Sequence, residues 1–129
     1  MRTASLADSA VFLDPDQTYD VMALTFALDW APVDVHAALA SGELPVPTSS
    51  GGRAFCWSGV ELRAAASWEK TTPPEDVDRI MFLALIASRF TLAGAGGPFG
   101  WSEEDVLTRA AGDPAFAADL AAAQLAARL

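Results

Sequence analysis

Cysteine, histidine and lysine each occur once in this chain, as Cys56, His36 and Lys70. A lone cysteine excludes an internal disulfide and any multi-cysteine metal site, and a free thiol fits a reducing cytoplasm. A lone histidine excludes the His-Glu-x-x-His zinc motif, and no Asp-x-Asp-x-Asp-Gly calcium loop is present. Cations are scarce: 8 Lys and Arg stand against 17 Asp and Glu, a formal net charge of −9 over 129 residues. That balance opposes non-specific attraction to nucleic-acid phosphates or anionic lipid and suits a basic protein partner. No long hydrophobic run exists either. The most apolar stretch, Ile80–Ala87, falls far short of a membrane span. The opening MRTASLADSAVFLDPDQT places acids where a secretory signal needs an unbroken apolar run. A soluble, cytoplasmic protein is expected. Apolar residues make up 52% of the chain, enough for a real core in one domain, or in a small domain with a helical extension.

Residues Met1–Gln17 read as a leader, with Ala10–Leu13 a short strand or an anchoring segment and Asp14-Pro15-Asp16 a turn. The spacing predicts a helix over Thr18–Leu28, capped by Thr18, with Asp20 in its first turn. Val21, Leu24, Thr25 and Leu28 form its inward face, and Met22 with Phe26 adds a second stripe, so the helix is expected to be covered on two sides. Trp30-Ala31-Pro32 makes a turn into a helix over Pro32–Ala40, where Val35 and Leu39 face inward. Gly42 ends it and Pro45 prevents resumption. Thr48–Gly52 reads as a flexible tip, and Ala54–Trp57 as a strand with alternating faces. Ser58 and Glu61 form a capping box that opens a helix over Gly59–Glu69, with Val60, Leu62, Ala65, Ala66 and Trp68 as apolar surface.

Thr72 with Glu75 forms a second capping box, and Pro73 begins a helix to Thr91 that is apolar over most of its circumference. Such a helix is either central to the core or shared with a second subunit. A homodimer through this helix, the last helix, or both is expected. Leu92–Gly100 reads as a flexible hinge; it has the composition of a phosphate loop but lacks the Gly-Lys-Ser/Thr ending. Ser102 with Asp105 caps a helix over Glu103–Ala111, and Asp113-Pro114 opens the last, Pro114–Arg128. The chain thus divides into a leader (1–17), a central unit (18–70) and a C-terminal helical, dimerising region (71–129).

Within the central unit, Val35-His36-Ala37-Ala38-Leu39-Ala40-Ser41-Gly42-Glu43-Leu44-Pro45 is the distinctive segment, followed by Arg53, Phe55 and Trp57 and then by Trp68. The order of helix, turn, helix running into Gly-x-Leu-Pro, hairpin and helix resembles the winged helix-turn-helix of the excisionase and MerR group of DNA-binding proteins. Gly42, Leu44 and Pro45 match the turn, and Trp68 matches an aromatic at the end of the following helix. The resemblance covers about residues 18–70. It implies a mainly α fold: a winged helix-turn-helix with a small β-hairpin wing, followed by a C-terminal helical extension. It also implies a non-enzymatic, DNA-associated protein such as a transcriptional regulator or excisionase-like factor, with the Pro32–Ser41 helix in a major groove and the Arg53 wing on the backbone or minor groove.

The DNA-contact candidates are His36, Ser41, Arg53, Trp57 and Arg63. His36 could reach a base edge or phosphate, Arg53 and Arg63 supply charge, and Trp57 could stack a base from the wing. Against this, the face of the recognition helix otherwise offers Asp34, Ala37 and Ala38, and residues 18–70 hold three cations against six acids. The alternative is an acidic module whose winged helix is repurposed to bind a protein. Other chemistry is weakly signalled. Cys56 with His36 could form a nucleophilic dyad, but a cysteine between Phe55 and Trp57 reads as buried and structural. The carboxylates Glu75-Asp76-Asp78 and Glu103-Glu104-Asp105 sit where helix dipoles favour negative charge. Trp30, Trp57, Trp68 and Trp101 read first as core. No cofactor or metal is expected.

Overall fold

A computed structural model describes residues 5–50, 53–66 and 74–128. The Gly51-Gly52 tip, Trp68, Lys70 and the Thr72–Pro73 part of the second capping box lie outside the described residues. The architecture is mainly helical with a small antiparallel sheet. In chain order it comprises α1 (Leu6–Ser9), β1 (Thr18–Tyr19), α2 (Val21–Leu28), α3 (Pro32–Ser41), β2 (Thr48–Ser50), β3 (Arg53–Ser58), α4 (Gly59–Ala65), α5 (Val77–Ala87), α6 (Leu92–Gly96), α7 (Glu103–Gly112) and α8 (Pro114–Ala126). Single turns of 3-10 helix follow α1 at Ala10–Phe12 and α6 at Gly97–Phe99.

The caps explain most boundaries. Asp20, not Thr18, caps α2: its carboxylate accepts the Ala23 N–H, while Thr18 is drawn into β1 opposite Ser58. α3 starts at Pro32, with the Asp34 carboxylate accepting the Ala31 N–H, and ends at Gly42 in the left-handed conformation at φ 79°. The Ser58–Glu61 and Ser102–Asp105 boxes form on α4 and α7. Asp113 caps α8 through the Phe116 N–H. The glycine-rich stretch after Thr91 is a short helix and a 3-10 turn rather than a hinge. Thr91 caps α6, and Gly96 lies so close to Trp101 that an added Cβ would meet its carbonyl oxygen at 2.5 Å.

β3 is the central strand, in the order β1-β3-β2. Between Thr48↔Cys56 and Ser50↔Arg53 one extra residue accumulates on β3, and Phe55 takes φ 57° there, a β-bulge with its left-handed residue. Cys56 and Trp57 are both fully buried. Successive strand residues point to opposite faces, so β3 is covered on both sides and the expected alternation of inside and outside fails.

The leader is part of this core: Leu6, Ala10 and Leu13 are buried in it, and Gly59 sits against the backbone of Asp14. α5 packs on α3, β3, α6 and α8, so one hydrophobic core spans residues from Leu6 to Ala126. Its run Met81–Ala87 is buried throughout, within a single chain. The apolar circumference of α5 therefore needs no second subunit. α2, in contrast, is covered on one side only, leaving Met22 and Phe26 exposed, Phe26 at 92%.

α5 and α8 run parallel. Arg79 near the start of α5 reaches Asp113, the cap of α8, and Asp119 in its second turn, while Arg53 spans Ala87 and Ala126 at their far ends. Side-by-side parallel helices align their dipoles unfavourably, and arginines donating to the C-terminal carbonyls relieve the accumulated negative charge.

Candidate functional site

The chemistry-bearing residues of the central unit are spread over different surroundings. His36 lies on the flank of α3, and its Nε2–H donates to Asp78 Oδ1 across the α3–α5 contact at 2.9 Å. The edge of its ring meets Phe99 at 5.5 Å between centroids. Ser41, at the end of α3, is exposed, and its hydroxyl donates back to the Ala38 carbonyl. Arg63 lies on the exposed side of the last turn of α4.

Arg53 and Trp57 do not occupy an exposed wing. The Arg53 side chain is 21% exposed. It pairs with Asp20 at 3.3 Å and donates to the carbonyls of Ala126 and Ala87 at 3.3 and 3.5 Å. Its donors are engaged with the protein's own acceptors, because the bulge at Phe55 and the adjoining helix ends surround this end of β3. Trp57 has no exposed surface, and its Nε1–H donates to the Pro45 carbonyl at 2.7 Å. A ring with neither face open cannot stack on a base, so Trp57 is a core residue, as is Trp30. Nor do these candidates converge. His36 meets α5 in its first turn at Asp78, whereas Arg53 meets its end at Ala87, roughly 13 Å further along the helix at 1.5 Å per residue.

Cys56 and His36 form no dyad. The thiol donates to the Ala54 carbonyl, and burial pushes its pKa up, with the Arg53 charge acting in the opposite sense and the Asp20 charge adding to the rise. Among the described residues, no group of three or more His, Cys, Asp and Glu side chains is placed to hold a metal, and no helix is long and apolar enough to cross a membrane.

The concave surface beside α3 is a groove of about 180 Å³ lined by Pro32, Val33, His36, Met81, Leu85, Pro98 and Phe99. Three elements build it: the solvent side of α3, the middle of α5 and the 3-10 turn after α6. Pro32 and Val33 are exposed, and Val33 at 66% is an apolar side chain left in water. One carboxylate reaches the strip, Asp78 against His36, while the Asp34 carboxylate turns back to the Ala31 N–H at the start of α3. The outward positions of α3 (Pro32, Val33, Ala37, Ala40 and Ser41) carry no cation. Sequence periodicity missed the groove because Pro98 and Phe99 fall in a stretch read as hinge. Val33 did carry a signal, as an apolar residue off the Val35–Leu39 face.

No protein-family model, curated protein or solved structure matches the chain.

Proposed function

We propose that the chain is a non-enzymatic protein-interaction module, built on a winged-helix-like order of elements, whose α3–α5 groove receives an amphipathic segment of a basic partner. The carrying observation is the surface of α3. Where a DNA reader presents cations, this helix presents Pro32, Val33 and Ala37, with Asp34 and Asp78 close by. Affinity for DNA phosphate rises with the number of cations that meet it, and Arg53, the natural wing cation, is engaged inside. An apolar strip with the Asp78 carboxylate at its edge, on a chain of net charge −9, instead complements a helix with Leu or Ile on one face and Lys or Arg on its flanks.

The test sets a labelled Leu/Lys amphipathic peptide beside a random DNA duplex, both at about 0.01 M salt, where the Debye length of about 30 Å makes attraction strongest. Peptide binding that weakens on Val33→Gln and on Asp78→Asn, with no retention of DNA, supports the module. A DNA-binding reading keeps one specific observation in its favour, the order helix, turn, helix, two strands, helix from α2 to α4. Retention of DNA that is lost on Arg63→Ala, without peptide binding, would replace our reading with that one.

A further inference from the structure

A second concave surface lies at the far end of α5, away from the α3 groove. It is a cleft of about 370 Å³ lined by Ile86, Arg89, Phe90, Thr91, Leu92, Gln124, Ala127 and Arg128. In a chain of net charge −9, two of its eight lining residues are arginines, and none of the described lining residues is acidic. Ile86, Phe90 and Leu92 supply an apolar wall, and Gln124 and Thr91 add neutral polar groups.

Arg89 is held there by an unusual backbone. α5 ends with the Phe90 N–H donating to the Leu85 carbonyl and the Arg89 N–H to the Ile86 carbonyl, the paired bonds of a Schellman ending. That motif needs a left-handed residue at the position of Arg89, where φ is 75° and glycine is the usual occupant. An arginine at that position strains the backbone, yet it puts the Arg89 side chain in the lining of the cleft. The Arg89 Nε–H donates to the Ala127 carbonyl at 3.1 Å, which ties the group to the end of α8. Complementing two helix C-termini accounts for a cation here. It does not account for a second arginine, the absence of a carboxylate among the described lining residues and an apolar wall meeting in one cleft.

We propose that this cleft binds a small organic anion: a carboxylate or phosphate head group on Arg89 and Arg128, with an apolar body against Phe90 and Leu92. Charge-assisted hydrogen bonds from guanidinium to such oxyanions are the strong ones, and a planar fork suits both head groups. The site is distinct from the α3 groove, and its test does not depend on that reading.

The experiment titrates the full chain with benzoate, phenyl phosphate and inorganic phosphate, following the Gln124 side-chain amide and arginine Nε–H resonances by NMR. The two aromatic anions are expected to shift these signals saturably. Inorganic phosphate, which lacks the apolar body, should bind at least about tenfold more weakly, the factor set by about 1.4 kcal/mol of lost burial. Gln124→Glu introduces a carboxylate into the cleft from an exposed position on α8; read on the arginine Nε–H signals, it should abolish the shifts while leaving the thermal midpoint in place. Arg128→Gln should weaken binding about tenfold, the contribution of one charge-assisted bond. The proposal is overturned if no anion gives saturable shifts, if inorganic phosphate binds as well as the aromatic anions, or if both variants bind like the parent.

Discussion

Replacing Arg53 with methionine separates the two views of that residue. On an exposed wing the change would alter nucleic-acid binding and leave stability alone. In the structure, methionine keeps much of the aliphatic packing but removes every donor. The Asp20 carboxylate, 17% exposed, loses the cation 3.3 Å away, and the Ala87 and Ala126 carbonyls lose their N–H partners. Stranding one member of a fully buried pair costs about 3–5 kcal/mol. Here both members keep some access to water, the bonds are long, and Asp20 retains its cap to the Ala23 N–H, so about 2 kcal/mol is expected, below the buried-pair range. For a domain of this size each kcal/mol moves the midpoint by roughly 3–5 °C, so the melting temperature should fall by about 6–10 °C. Asp20→Asn preserves the cap, because asparagine is as good an N-cap as aspartate. The double-mutant cycle of Arg53→Met with Asp20→Asn should therefore isolate a coupling of about 1 kcal/mol. Urea unfolding of the four proteins measures it. An Arg53→Met midpoint within experimental scatter of the parent, or a coupling near zero, would refute the inward assignment.

Gly59→Ala should destabilise by about 2–4 kcal/mol in the same urea assay, as overpacking against backbone does, because the new Cβ would fall 1.8 Å from the Asp14 carbonyl oxygen; a change below about 0.5 kcal/mol, the range of ordinary surface substitutions, would show that the 14–17 turn is not held against α4. Cys56 should resist thiol reagents at neutral pH, since burial raises its pKa and encloses the sulfur; labelling should track unfolding, and rapid modification of the folded chain would contradict a covered central strand. Hydrogen bonds from the backbone and hydroxyl of Ser102 lower the Asp105 pKa. A lowered folded pKa gives stabilisation that is present above the unfolded value of about 3.9 and lost as pH falls through the folded one. Asp105→Asn should accordingly flatten the loss of stability below about pH 4, and an unchanged acid limb would count against the box on α7.

What could be read from the sequence follows from which interactions are local. Caps and breakers act over three or four residues, so the starts of α3, α4, α7 and α8 and the stop at Gly42 were legible from Pro32, Ser58, Ser102, Asp113 and Gly42 themselves. Thr18 was misassigned because its partner is distant: pairing with Ser58 on β3 took it out of the helix and passed the cap to Asp20. α6 was invisible for a related reason. Its glycines oppose helix by propensity, and what favours Gly96 is the close approach of Trp101. Met22 and Phe26 show the converse failure. Their spacing marks a helical face correctly, but spacing carries no information on whether anything covers that face. The α3 groove needed Val33, Leu85 and Phe99 together, which only the packing of three separate elements provides.

The same division separates the positions that carry the winged-helix resemblance from those on which binding depends. Val35, Leu39 and Leu44 are buried at 1% exposure or less, Gly42 supplies a left-handed turn, and Trp57 fills the core. These positions answer to packing and backbone geometry, so a helix–turn–helix followed by strands can keep them whatever its surface does. Binding depends on the outward positions, and those are Pro32, Val33, Ala37, Ala40 and Ser41 on α3. Arg53 belongs to both groups by sequence position, and only its surroundings decide between them. With Asp20 and two helix ends within 3.5 Å, it serves the fold. A scaffold that ties Arg53 to its own helix ends, and turns Pro32, Val33 and Ala37 outward on α3, carries no cation at the outward positions of that helix to meet a phosphate.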